Sequence, residues 1–171
     1  WVPRQAPGGG WPCKPPAGTE HPVTPGMPAA GMASLLITQD MLSGDRGADC
    51  TPVPPNQPVE RGLAWLTDHF DMVASDQSYA RDYPFATLYA VERVGMAGGL
   101  RTFGKIDWYQ HGADWLLRRQ ESSGGWAESS RGDGDVVDTA FALLFLSRGR
   151  MPIAIAKLDY TEDASHPARW N

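Results

Sequence analysis

Three carboxylates, Asp133, Asp135 and Asp138, fall within the stretch Asp133-Gly134-Asp135-Val136-Val137-Asp138. Paired acids can divide general-acid and general-base duties, as in glycoside hydrolysis, when they face each other across a cleft. They can also gather a divalent cation, but this stretch lacks the full oxygen-ligand pattern of a calcium loop. Asp135 and Asp138 stand three apart, which puts two side chains on one face of a helix. The same spacing suits a helix start, with Asp135 as the cap and Asp138 in the first turn, both favoured in their ionised form by the helix dipole.

A second group is aromatic. Tyr79, Tyr83, Tyr89, Tyr109 and His111 gather around two predicted helices. Tyr83 and Tyr89 are the candidates to line a ligand cavity, because ring faces stabilise a cation or stack on a sugar. His111 is a candidate base beside Tyr109 or Asp107. Aromatic residues at helical spacing also serve as core, and that reading stands beside the first. Cys13 and Cys50 lie in loops, where one disulfide and two free thiols both fit; two cysteines alone make no zinc site. Gly8-Gly9-Gly10 and Gly98-Gly99 adjoin no phosphate-loop or dinucleotide pattern, so no cofactor and no metal is expected.

The elements that must position these groups are helical. Thr24 can cap a helix running to Ser43-Gly44, with Met27, Met32, Leu35, Leu36 and Leu42 at three- and four-residue spacing. A second helix is expected over about 58–72, with Val59, Leu63, Leu66 and Phe70 in one stripe. A third is expected over 84–94, packing through Phe85, Leu88 and Val91 and stopped by Gly95 and Gly98-Gly99. A fourth spans 107–120, and a fifth spans 135–147 with Val137, Ala140, Phe141, Leu144 and Phe145 as a strongly apolar surface. The second and fourth share Gly-x-x-Trp-Leu, at Gly62–Leu66 and Gly112–Leu116, 50 residues apart. That period fits stacked two-helix hairpins, with the third and fifth helices inside and the second and fourth outside.

Composition narrows the function classes. With 15 basic and 20 acidic residues the net charge is −5, which makes no electrostatic case for nucleic acid or an anionic membrane surface. No apolar run approaches the length of a transmembrane helix.

A longer pattern recurs 115 residues apart. Gln5-Ala6-Pro7-Gly8-Gly9-Gly10-Trp11 and Gln120-Glu121-Ser122-Ser123-Gly124-Gly125-Trp126 both read Q-x-x-x-G-x-W. A glutamine amide can cap helix carbonyls or donate to the following turn, glycine permits positive φ, and the indole can cover the join. The pattern resembles the QW motif of squalene–hopene cyclases, oxidosqualene cyclases and related class II terpene cyclases. It is similar also to large bacterial proteins of unknown function with a prenyltransferase/squalene-oxidase-type repeat region, through Tyr89–Gly95 and Asp138–Leu146. The resemblance implies an all-α fold of α/α-toroid type, in which Gln5, Trp11, Gln120, Gly124 and Trp126 are structural.

In those cyclases the middle Asp of D-x-D-D protonates the substrate. The nearest stretch here is Asp135-Val136-Val137-Asp138-Thr139-Ala140, and the acid position is Val137, which has no proton to donate. The expectation is therefore a scaffold or ligand-binding module for an apolar small molecule, incompetent for cyclisation. The alternative is a divergent toroid enzyme, terpene-cyclase-like or carbohydrate-active, working through Asp133, Asp135 or Asp138. Residues 1–151 are expected to form a repeat domain incomplete at its N-terminus, with 152–171 an irregular extension or linker. Five helices make at most an open half-ring, whose bare inner face favours self-association or cover by further domains of a longer parent.

Overall fold

The computed structural model describes residues 1–13, 23–43, 55–70, 83–127 and 134–148. Within them the chain is mostly helical: a short 3-10 turn at Val2–Arg4, then α1 (Gly26–Ser43), α2 (Gln57–Asp68), α3 (Pro84–Ala97), α4 (Trp108–Arg119) and α5 (Gly134–Arg148). Asp133, Cys50 and the expected extension at 152–171 lie outside the described residues.

Sequence chemistry accounts for the ends of these helices. Asn56 caps α2 by accepting from the Val59 N–H at 3.4 Å, and Asp107 caps α4 by accepting from the Gln110 N–H at 3.0 Å. Pro84 opens α3, where its fixed φ suits a first helical position. Two expected boundaries shift. Pro25 rather than Thr24 directly precedes α1, and α2 ends at Asp68, where the His69 N–H bonds back to Trp65.

Gly95 does not stop α3. The helix runs on to Ala97, and the Leu100 N–H closes the end by donating to the Gly95 carbonyl at 2.8 Å. Gly95 is instead a site of close approach: a Cβ there would stand 2.5 Å from the Trp108 ring. The same indole donates to the Leu100 carbonyl at 2.6 Å. Between α3 and α4 lies a two-strand hairpin, β1 (Thr102–Phe103) and β2 (Ile106–Asp107), that periodicity did not predict. Gly104 turns it at φ 58°, and Phe103 packs on Phe70 with ring centroids 4.9 Å apart.

The helices form two layers. In the first, α3 lies between α1 and α5; in the second, α2 packs on α1, and α4 packs on α3 and α5. Residue contacts fix the directions. Asn56, at the start of α2, bonds Gln39 near the end of α1, and Phe85 and Trp108 join opposite ends of α3 and α4, so these pairs are antiparallel. Tyr89 and Phe141, both mid-helix, pack at 5.6 Å, and Tyr109 near the start of α4 reaches Leu146 near the end of α5, so α5 runs antiparallel to α4 and therefore parallel to α3. The core lies between the layers, where Met32, Leu66, Phe85, Leu88, Val91, Trp115, Leu116 and Phe145 are fully or almost fully buried.

Candidate functional site

The repeated pattern builds one piece of geometry twice. Gln5 Nε2 donates to the Gly9 carbonyl at 2.8 Å, and Gln120 Nε2 donates to the Gly124 carbonyl at 2.9 Å. Each turn is closed by the same two backbone bonds at 2.9 Å, Ala6 to Gly10 with Gly9 to Ala6, and Glu121 to Gly125 with Gly124 to Glu121. Gly9 and Gly124 take φ 96° and 87°, the left-handed region that glycine enters without a Cβ penalty. The Trp11 indole donates to the Trp1 carbonyl and the Trp126 indole to the Leu116 carbonyl, ten residues back in each case. Leu116 belongs to the last four residues of α4, whose carbonyls have no intrahelical donor.

The two turns differ in their docking. Gln5 also donates to the Pro58 carbonyl at 2.7 Å and accepts from Arg61 Nη2 at 2.7 Å, pinning the first turn to the start of α2. A Cβ on Gly9 would meet the Arg61 carbonyl at 2.3 Å, whereas one on Gly124 would meet nothing within 4 Å. The second turn is held from α5 instead: the Thr139 hydroxyl accepts from the Trp126 N–H at 3.0 Å and lies 3.2 Å from its carbonyl.

Of the candidate catalytic residues, Asp135 and Asp138 occupy the start of α5. Asp135 is exposed in the first turn, inside the helix rather than at its cap. Asp138 is half-buried one turn further on, and Val137 between them is 51% exposed. Because α3 runs parallel to α5, Tyr83 stands at the same end of the layer. It caps α3 in a left-handed conformation, φ 51°, and is 65% exposed. Such a backbone is uncommon for an aromatic residue. Tyr89 lies deeper, packed on Phe141.

His111 does not join this group. It belongs to α4 beside Gly112, which abuts Phe145; seven residues of α5 separate Phe145 from Asp138, roughly 10 Å of helix rise. The buried His111 Nε2 has no hydrogen-bond partner among the described residues. Tyr109 stacks on Phe145 at 5.4 Å and donates to the Leu146 carbonyl at 3.4 Å, so it belongs to the packing between α4 and α5. Among the described residues, no three His, Cys, Asp or Glu side chains gather in a way that could hold a metal ion. Cys13 carries a free, exposed thiol.

Two grooves lie elsewhere. One, of about 550 Å³, runs between the end of α1 and the start of α2, lined by Leu35, Leu42, Pro55 and Pro58 with the amides of Gln39 and Asn56. The other, of about 430 Å³, separates α1 from α3 and sets Asp40 and Arg93 among Leu36, Ile37 and Met96. Sequence periodicity shows neither, because each is made by the meeting of two helices. Glu92 was also legible only in part: it follows Leu88 by four residues and so falls on the packing stripe of α3, where it is fully buried.

Asp107 is a carboxylate with a clear electrostatic bias. The Gln110 N–H holds it below the usual carboxylate range against the opposing effect of burial, and the Arg101 guanidinium at 3.3 Å adds to the lowering. This is capping chemistry at the start of α4.

No protein-family model, curated protein or solved structure matches the chain. Among the described residues, no helix is long and apolar enough to cross a membrane.

Proposed function

We propose that the chain is a helical-repeat scaffold of the α/α-toroid type that binds an apolar small molecule and carries out no cyclisation. The observation that carries this reading is the duplicated turn. Gln5–Trp11 and Gln120–Trp126 make the same internal hydrogen bonds, and each anchors its indole to a carbonyl ten residues back. In both copies the Gln amide nitrogen and the Trp indole donate to backbone carbonyls, which is the chemistry of a structural joint. The layer α1, α3, α5 backed by α2 and α4 agrees with stacked helical hairpins.

The absence of cyclisation rests on Val137, an apolar residue at the acid position with half its surface in solvent. Protonating an alkene requires a strong acid held in a water-excluded site. Ligand binding is assigned to the groove between α1 and α2, whose volume suits a small molecule and whose walls include Leu35, Leu42, Pro55 and Pro58.

Titration of tryptophan fluorescence with farnesol and geranylgeraniol tests the binding half of this reading. Saturable binding weakened by Leu35→Asp is expected. Absence of binding, or binding indifferent to Leu35→Asp in a folded variant, would remove the ligand from the proposal.

A further inference from the structure

We propose that the second glycine turn is the docking site of residues 165–169 of this chain, which engage Gln120 as the start of α2 engages Gln5. The first turn holds something that the second does not. The Gln5 amide uses both N–H groups and its oxygen: it donates to the Gly9 and Pro58 carbonyls and accepts from Arg61 Nη2. The Gln120 amide donates to the Gly124 carbonyl, and among the described residues nothing takes its second N–H or its oxygen. Gly9 and Gly10 are buried, with the Arg61 backbone lying against Gly9, whereas Gly124 is exposed with open space at its Cβ position. The second turn therefore keeps a donor, an acceptor and a glycine that permits close approach. These are the three features with which the first turn seats α2.

The sequence selects the occupant. α2 opens on a cap, a spacer and a proline, Asn56-Gln57-Pro58, with Arg61 following. Outside the described residues the chain carries Ser165-His166-Pro167, with Arg169 following. Serine and asparagine both cap helices, and proline suits a first turn. The spacing from the preceding helix agrees as well. Arg61 comes 30 positions after Gly31, the α1 residue that abuts the Trp11 ring, and Arg169 comes 30 positions after Thr139, the α5 residue that receives the Trp126 N–H. Pro58 precedes Arg61 by three positions; the residue three before Arg169 is His166. Gln120 would then donate to the His166 carbonyl and accept from the Arg169 guanidinium. Residues 149–164 can extend over roughly 50 Å, against roughly 20 Å for the length of α5, so the chain can return to the turn. The contact rests on the duplicated turn and involves no ligand, so its failure is distinguishable from failure of ligand binding.

A double-mutant cycle of Gln120→Ala and Arg169→Ala in the full chain, read by urea unfolding, tests the contact. The two single losses should overlap, so that the double variant departs from additivity by at least about threefold in the unfolding constant, beyond the scatter of independent sites. Gln5→Ala with Arg61→Ala, whose groups meet at 2.7 Å, sets the scale. A nitroxide on Asp163→Cys, in a chain carrying Cys13→Ser and Cys50→Ser, gives a second reading that needs no energetic coupling. It should broaden the amide signals of Gly124 and Gly125 and spare that of Gly9. If neither pair couples, the nitroxide decides. Absence of broadening at Gly124, broadening passed from the nitroxide of one chain to the amides of another, or an additive Gln120–Arg169 cycle beside a coupled Gln5–Arg61 cycle would overturn the proposal.

Discussion

The indole N–H of Trp126 reaches ten residues back to the carbonyl of Leu116, at 2.8 Å. That carbonyl lies in the last turn of α4, where the helix itself supplies no donor, and the ring covers the joint from solvent. Trp11 makes the corresponding bond to Trp1 at 3.0 Å, in a less buried setting.

Trp126→Phe keeps an aromatic ring and removes the donor. The Leu116 carbonyl then loses its partner in a buried site, at a cost of about 1–3 kcal/mol. Trp11→Phe should cost less, because its bond is only part-buried. Urea unfolding of the two variants against the parent gives the comparison.

The two motif glycines should respond differently to alanine. Both substitutions place a Cβ on left-handed backbone, which costs about 1 kcal/mol. Gly9→Ala also drives that Cβ into the Arg61 carbonyl, whereas at Gly124 the space is open. Gly9→Ala is therefore expected to lower stability by about 1–3 kcal/mol more than Gly124→Ala, read from the same unfolding experiment.

Asp107 links stability to acid pH. Its pKa in the folded chain is lowered, so its charged form contributes stability that is present above the ordinary carboxylate pKa of about 3.9 and lost as pH falls through the lower folded value. Asp107→Asn keeps a cap acceptor but does not titrate. The stability advantage of the parent over Asp107→Asn should hold near neutral pH and shrink below about pH 4. Asp107→Ala removes the cap and should cost about 1 kcal/mol near neutral pH. Thermal unfolding across pH measures both.

Helix content was legible because capping residues and three- and four-residue apolar spacing coincide, as at Asp107 followed by Trp108, Gly112, Trp115 and Leu116. The repeated glycine turn was legible because the bonds common to both copies are local, from Gln to the motif glycine and from Trp to a carbonyl ten residues back. The docking of Gln5 on Pro58 and Arg61 was not legible. What periodicity could not show depends on partners distant in sequence. Gly95 looks like a helix stop until Trp108 is seen lying on it. Val137, Ala140 and Leu144 read as core by hydropathy, yet α3 and α4 take the other side of α5 and leave these three exposed. The candidate site was legible to a similar degree. Asp135 and Asp138 share the start of one helix as their spacing implies, while His111 stands apart because α4 runs antiparallel to its neighbours.

The most direct test of the scaffold account is product analysis after incubating the chain with squalene and, separately, with geranylgeranyl diphosphate. The account predicts that both are recovered uncyclised. A cyclic product that forms with the parent chain and disappears in a folded Asp138→Asn variant would contradict it and establish α5 as the seat of a catalytic acid.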